Sequence, residues 1–179
     1  MSFNGYFLVA HSPRPIFELP SVRRSVRHAV DGGNIVSDVL ASWRDGNWQK
    51  LQCFAEEGIR VADLVADTHA PALTIFTIEN QWAYVSAASP SAPPWFAVLN
   101  PEGGREYDAP DAGPIEEVTA EAVAWAAEAG LTPDPARVAT AIGIRPGPFS
   151  EGVSEFLEAL GLRFAHRQPI PAPAGGSPE

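Results

Sequence analysis

The sequence predicts an α+β fold: a small, mostly antiparallel sheet with helices packed on one face and a helical C-terminal third. Three observations carry the expectation. Two β-rich runs, 73–78 and 81–87, flank a short Glu79-Asn80 turn and read as a hairpin. Near the C-terminus Val153, Phe156, Leu157 and Leu160 recur at helical spacing between Ser150 as cap and Gly161 as stop. Regular βαβ alternation with a glycine-rich first turn is absent, which removes the doubly wound nucleotide-binding folds.

Each element has its own signal. Tyr6-Phe7-Leu8-Val9-Ala10 is aromatic and β-branched and reads as a buried central strand, ending at the extended turn His11-Ser12-Pro13-Arg14-Pro15. Pro20-Ser21 offers a helix start, and Val22, Val26, Ala29 and Val30 predict a helix that runs to Gly32-Gly33 with Arg23, Arg24 and Arg27 facing outward. Residues 34–43 fit a short helix capped by Asn34, and the same apolar residues fit a strand; helix is the expectation taken. After the Asp45-Gly46-Asn47 turn, Trp48 to Phe54 alternates as a strand with one solvated face. Glu56 to Thr68 is helical in composition, and Trp95 to Leu99 adds a third strand to the hairpin as a meander.

Residues 100–114, rich in Gly, Pro and acids, read as a surface loop. Thr119 is expected to cap a helix carrying Ala122, Trp125, Ala126 and Ala129, and Asp134 with Pro135 to open another through Gly143. A single domain over 1–167 is expected, followed by a disordered Pro/Gly-rich tail over 168–179 with little to bury.

The 179 residues carry a formal charge of −10, and the asymmetry is internal: residues 1–50 hold +2 and the remainder −12. Such a body is not expected to wrap nucleic acid or coat anionic lipid. The lone cysteine, Cys53, closes no intramolecular disulfide. No apolar run has the length of a membrane span, and the start has neither a basic n-region nor a full h-region, so a soluble, untargeted, cytoplasmic chain is expected.

Chemistry-bearing motifs are scarce. His11, His28, His69 and His166 are scattered without metal-ligand spacing, and no cofactor or metal is expected. Gly32-Gly33 and Gly103-Gly104 lack phosphate-cradling spacing, no Gly-x-Ser-x-Gly elbow occurs, and Cys53 reads as a small buried hydrophobe. The carboxylate pairs Glu56-Glu57 and Glu116-Glu117 fall at predicted helix starts, where the helix dipole accounts for them. Candidate binding residues are therefore the loop acids Glu102, Glu106, Asp108 and Asp111, and the strand aromatics Trp82, Tyr84 and Trp95 with Phe96. Arg23, Arg24 and Arg27 with His28 form a second, basic candidate, read first as a solvated helix face.

Over about residues 63–100, where a helix leads through Ala70-Pro71-Ala72-Leu73 into the strand pair and a Pro-Ser loop, the chain resembles uncharacterised actinomycete proteins. That resemblance is structural and brings no function with it. In size, charge and lack of catalytic motif the chain also resembles, in general character, the immunity proteins that neutralise polymorphic toxins. The expected function is an acidic protein-binding module, inhibitor- or immunity-like, masking a basic surface of another protein; self-association into a homo-oligomer is a further expectation to test. The alternative is a small enzyme whose site is assembled from distant residues, the acidic loop 102–111 and His69.

Overall fold

A computed structural model describes residues 4–31, 34–55, 58–79, 81–143 and 151–173. Its centre is a seven-stranded antiparallel sheet in the order β8-β7-β6-β1-β5-β4-β9. The strands are β1 (Gly5–His11), β4 (Val39–Asp45), β5 (Trp48–Cys53), β6 (Ala72–Ile78), β7 (Trp82–Ala88), β8 (Trp95–Leu99) and β9 (Arg167–Gln168). The first strand is central, with β5 on one side and β6 on the other. Its near-continuous apolar run follows from this, since both faces of the strand are covered. The β6-β7-β8 meander forms as the sequence predicts.

Strand alternation divides the core in two. Phe7, Val9, Leu73, Ile75, Ala83, Val85, Ala97 and Leu99 face α4 (Ile115–Glu128), α5 (Pro135–Gly143) and α6 (Glu151–Ala159), the helical C-terminal third. Trp125 of α4 anchors that layer, donating its indole N–H to the Ala88 carbonyl at 3.0 Å. Leu8, Ala10, Leu51, Cys53 and Ala72 face the other way, against a 3-10 turn (Ile16–Glu18), α1 (Pro20–Ser25) and α2 (Val61–Thr68). The C-terminal helices thus take one face, and shorter N-terminal helices cover part of the other. Buried Gln49 pins the proline-rich entry to this second layer: its Oε1 accepts from Ile16 N at 3.0 Å, and its Nε2 donates to the Ser12 and Arg14 carbonyls.

Several expected elements differ. The helix predicted through Val30 stops at Ser25; Val26 is already extended (φ −117°), and β2 (His28–Asp31) pairs with β3 (Asn34–Ser37). Valines before and after the Gly-Gly pair satisfy paired strands as well as a helical stripe, and backbone pairing decides between them. Residues 34–43 accordingly hold β3 and the start of β4, separated at Asp38, with a bulge between Val39 and Ala41. The helix expected from Glu56 begins at Val61, because Arg60 is extended (φ −80°, ψ 134°); Glu56 and Glu57 lie outside the described residues.

The loop expected over 100–114 contains a short helix, α3 (Pro101–Arg105), which also absorbs Gly103-Gly104. Asn100 caps it in a left-handed conformation (φ 54°), its side chain accepting from Gly103 N. Thr119 does not cap α4, which starts four residues earlier, after Pro114; its hydroxyl is instead buried with no hydrogen-bond partner among the described residues. Asp134 caps α5 through Ala136 N and Arg137 N as expected, and Ser150 lies outside the described residues. The start of the expected tail is placed: Gln168 pairs with Ser42, Ile170 packs on the second core, and His28 Nε2 lies 2.8 Å from the Pro171 carbonyl oxygen. Residues 174–179 lie outside the description.

Candidate functional site

The second face of the sheet is covered by α2 only in part, and the exposed remainder is aromatic. In the register, Tyr6 lies opposite Phe76 and Phe76 opposite Tyr84, so side chains from β1, β6 and β7 line up across the sheet. One row on, Phe96 of β8 lies opposite Ser86. Tyr6 and Phe76 have ring centroids 4.7 Å apart, and Tyr84 stacks on Phe96 at 5.5 Å with 23° between planes. All four rings are half-buried. They form or flank the floor of a groove of about 540 Å³, with Trp82 and Pro94 at its edges and residues 58–62 leading into α2 as its wall. That volume is in the range of small-molecule and peptide-side-chain sites. Burial, reinforced by the nearby Cys53, holds the Tyr6 phenol above its ordinary pKa, so it is a hydroxyl donor rather than a phenolate.

Arg60 is the one charged residue lining the groove among the described residues. Asp63, one helical turn on, takes its guanidinium in two bonds, Nε to Oδ2 at 3.1 Å and a terminal nitrogen to Oδ1 at 2.9 Å. The pairing holds the Asp63 carboxyl below the usual carboxylate range, first through that hydrogen bond.

Beside Trp82 stands an acidic ledge built from α3 and the residues after it. The α3 backbone rests on the indole so closely that a methyl added at Gly104 would lie 3.6 Å from Trp82. Asn100 Nδ2 donates to the Gln81 carbonyl at 2.6 Å, and the Tyr107 hydroxyl to Glu79 at 3.3 Å. Glu102, Glu106, Asp108 and Asp111 are all exposed. Asp111 accepts from Gly113 N, and none of the four makes an ion pair among the described residues.

The structure thus brings Trp82, Tyr84 and the acids Glu102 and Glu106 to one end of one face, and it separates Trp95 from them. Trp95 points to the opposite face, where its ring meets Trp125 edge-on at 6.5 Å. His69 caps the C-terminus of α2 beside the start of β6, whereas the ledge sits beside the other end of that strand. Seven residues of strand, roughly 20 Å, lie between them. Arg23, Arg24 and Arg27 form no continuous helical stripe, and Arg27 pairs with Asp38 at 3.4 Å. Cys53 is buried, and that burial pushes its thiol pKa up to about 12, which leaves no thiolate at neutral pH. Among the described residues no group of three or more His, Cys, Asp or Glu side chains is gathered to hold a metal, and no helix is long and apolar enough to cross a membrane.

Two features escaped sequence reasoning. Tyr6 and Phe76 join Tyr84 only because of the register, which a single sequence does not disclose. Lys50, the only lysine, is buried on the face of the C-terminal helices, its Nζ 4.0 Å from the centre of the Trp43 ring and 5.3 Å from that of Phe164. Its signal was present, a lysine inside a strand beside Trp48, but alternation alone assigned it to the solvated side.

Fold and site together define an α+β protein with a central antiparallel sheet, helices on both faces and an aromatic groove beside an acidic ledge. The chain matches no family model, no curated protein and no solved structure.

Proposed function

We propose that this protein is an acidic binding module that masks a basic surface of another protein, in the manner of an inhibitor or immunity factor. The observation that carries the reading is the ledge: exposed, unpaired carboxylates fixed by a capped helix beside half-buried aromatic rings. Four acids against the single Arg105 of α3 leave the ledge net negative; such a rim steers encounter, and aromatic side chains supply the anchoring contacts. The chain's −10 charge acts in the same direction. The residues named for the enzymatic alternative stand at opposite ends of β6, so no observation favours that reading.

The test is association kinetics with a partner captured on the tagged protein, using wild type and a variant with Glu102→Gln, Glu106→Gln, Asp108→Asn and Asp111→Asn. Amides retain the acceptor that Asp111 presents to Gly113 N and suit the left-handed backbone of Asp108 (φ 54°), so the fold is kept. Between about 0.05 M and 0.5 M salt the wild-type on-rate is expected to fall about tenfold or more, and the variant to start near the high-salt value. Equal rates in all four conditions would overturn the reading.

A further inference from the structure

The groove offers ring faces as its floor, and the acidic ledge stands beside Trp82 at its edge. Among the described residues its lining includes the Thr74 and Ser86 hydroxyls and one cation, Arg60, which is paired with Asp63 by two bonds and stands largely in solvent. The net negative charge of the chain disfavours an anionic ligand. A cation meets the opposite situation. The Tyr84–Phe96 pair presents stacked, half-exposed rings, and ring faces attract a guanidinium through their quadrupole. Glu79 lies three residues beyond Phe76, roughly 10 Å along the strand, and the ledge continues from it through Tyr107 to Glu106 and Glu102. Acidic groups thus stand beyond the Trp82 end of the aromatic row.

We propose that this groove receives an arginine side chain of an extended basic segment on the partner protein, its guanidinium laid on the Tyr84–Phe96 rings while neighbouring basic residues meet Glu79 and the ledge. The inference rests on the binding reading above and specifies its partner chemistry. Arginine rather than lysine is the occupant because a planar, weakly hydrated guanidinium stacks on a ring without giving up a tight hydration shell. Ledge and groove have separable tasks: carboxylates attract either basic residue by charge, and the rings discriminate between them.

The probes are fluorescein-labelled hexa-arginine and hexa-lysine peptides of equal charge, titrated into the full chain and read by anisotropy at about 0.05 M salt, well below the ionic strength at which the Debye length shortens to about 10 Å. Wild type is expected to bind the arginine peptide about two- to fivefold more tightly than the lysine peptide. Tyr84→Leu keeps the apolar volume but removes a ring, and its preference is expected to fall to about unity with lysine-peptide affinity unchanged. Tyr84→Phe restores the ring and is expected to restore the preference, which guards against misreading a misfolded variant. The four-amide ledge variant is expected to weaken both peptides equally and keep their ratio.

No binding by wild type, a wild-type ratio of one, or a ratio that survives Tyr84→Leu in protein with an unchanged melting curve would each overturn the proposal. If wild type shows no arginine preference while its salt-dependent association with the captured partner persists, the groove inference falls and the acidic reading stands. If the ledge variant binds both peptides as wild type does, the acidic reading falls together with the ledge contacts proposed here, and an arginine preference abolished by Tyr84→Leu carries the ring contact alone.

Discussion

Lys50 offers a direct test of the packing described here. It sits in the middle of β5, covered by Trp43 from the neighbouring strand and by Phe164 from the chain that follows α6. Burial lowers its pKa to about 8, a loss that the charge of Glu158 only partly offsets. The half-exposed Glu158 is itself 3.6 Å from Arg137. Relative to the ordinary lysine value of 10.5, the displacement corresponds to about 3 kcal/mol at pH 7, where both folded and unfolded chains are protonated and the folded one bears the cost. As pH rises through 8 the folded state sheds its proton while the unfolded state keeps it, so the penalty declines and is gone above about 10.5.

Lys50→Met is therefore expected to stabilise the protein at pH 7 by up to about 3 kcal/mol, with the advantage shrinking by about 1 kcal/mol by pH 9. Taking the difference between variant and wild type at each pH cancels the opposite trend from Cys53, whose raised thiol pKa lowers stability above about pH 9 in both proteins. The assay is denaturant unfolding at pH 7, 8 and 9, joined to NMR titration of lysine labelled at its ε carbon, which yields one signal because the chain has one lysine. A titration midpoint near 10.5, or a stability difference independent of pH, would show that Lys50 is solvated and that the Trp43–Phe164 cover is wrongly placed.

Further expectations concern the two layers and the ledge. Phe156→Ala removes a fully buried ring from α6 and is expected to cost about 3 to 5 kcal/mol in denaturant unfolding; wild-type stability would mean that α6 does not pack on the sheet. Gly104→Ala places a methyl 2.7 Å from the Ala109 Cβ, so the ledge must shift; a loss of about 1 to 3 kcal/mol and a slower on-rate to the partner are expected, and an unchanged melting curve would contradict the packing of α3. Truncation after Arg167 deletes the Gln168–Ser42 pairing, the Ile170 contact and the Pro171 acceptor of His28, and is expected to lower the melting temperature by about 2 to 4 °C. No change on calorimetry would show that these contacts contribute nothing.

The sequence by itself determined the elements whose local signals agree. The Tyr6–Ala10 strand, the β6-β7-β8 meander, the Asp134-Pro135 start of α5 and the periodic stripe of α6 were all legible, because turn chemistry, capping and hydrophobic period point the same way at each. Where two local patterns fitted equally, as at Val26–Val30 and Ile35–Val39, only backbone pairing chose between them, and the strand won. Composition placed the acids 102–111 on the surface, but the helix within that segment depends on Asn100 reaching Gln81, a partner nineteen residues away.

The groove was the least legible part. Its residues come from β1, β6, β7 and the entry to α2; Trp82 and Tyr84 stand out as candidates, whereas Tyr6 and Phe76 read alone as ordinary core aromatics. What makes them a site is register, which sets Tyr6, Phe76 and Tyr84 in one row and turns Trp95 to the other face. A one-residue slip in a strand exchanges its faces, so a property of side-chain direction belongs to the paired sheet and not to the single strand. Lys50 follows the same logic: alternation says that it leaves the second core, and Trp43 from the neighbouring strand together with Phe164 after α6 closes it off from water.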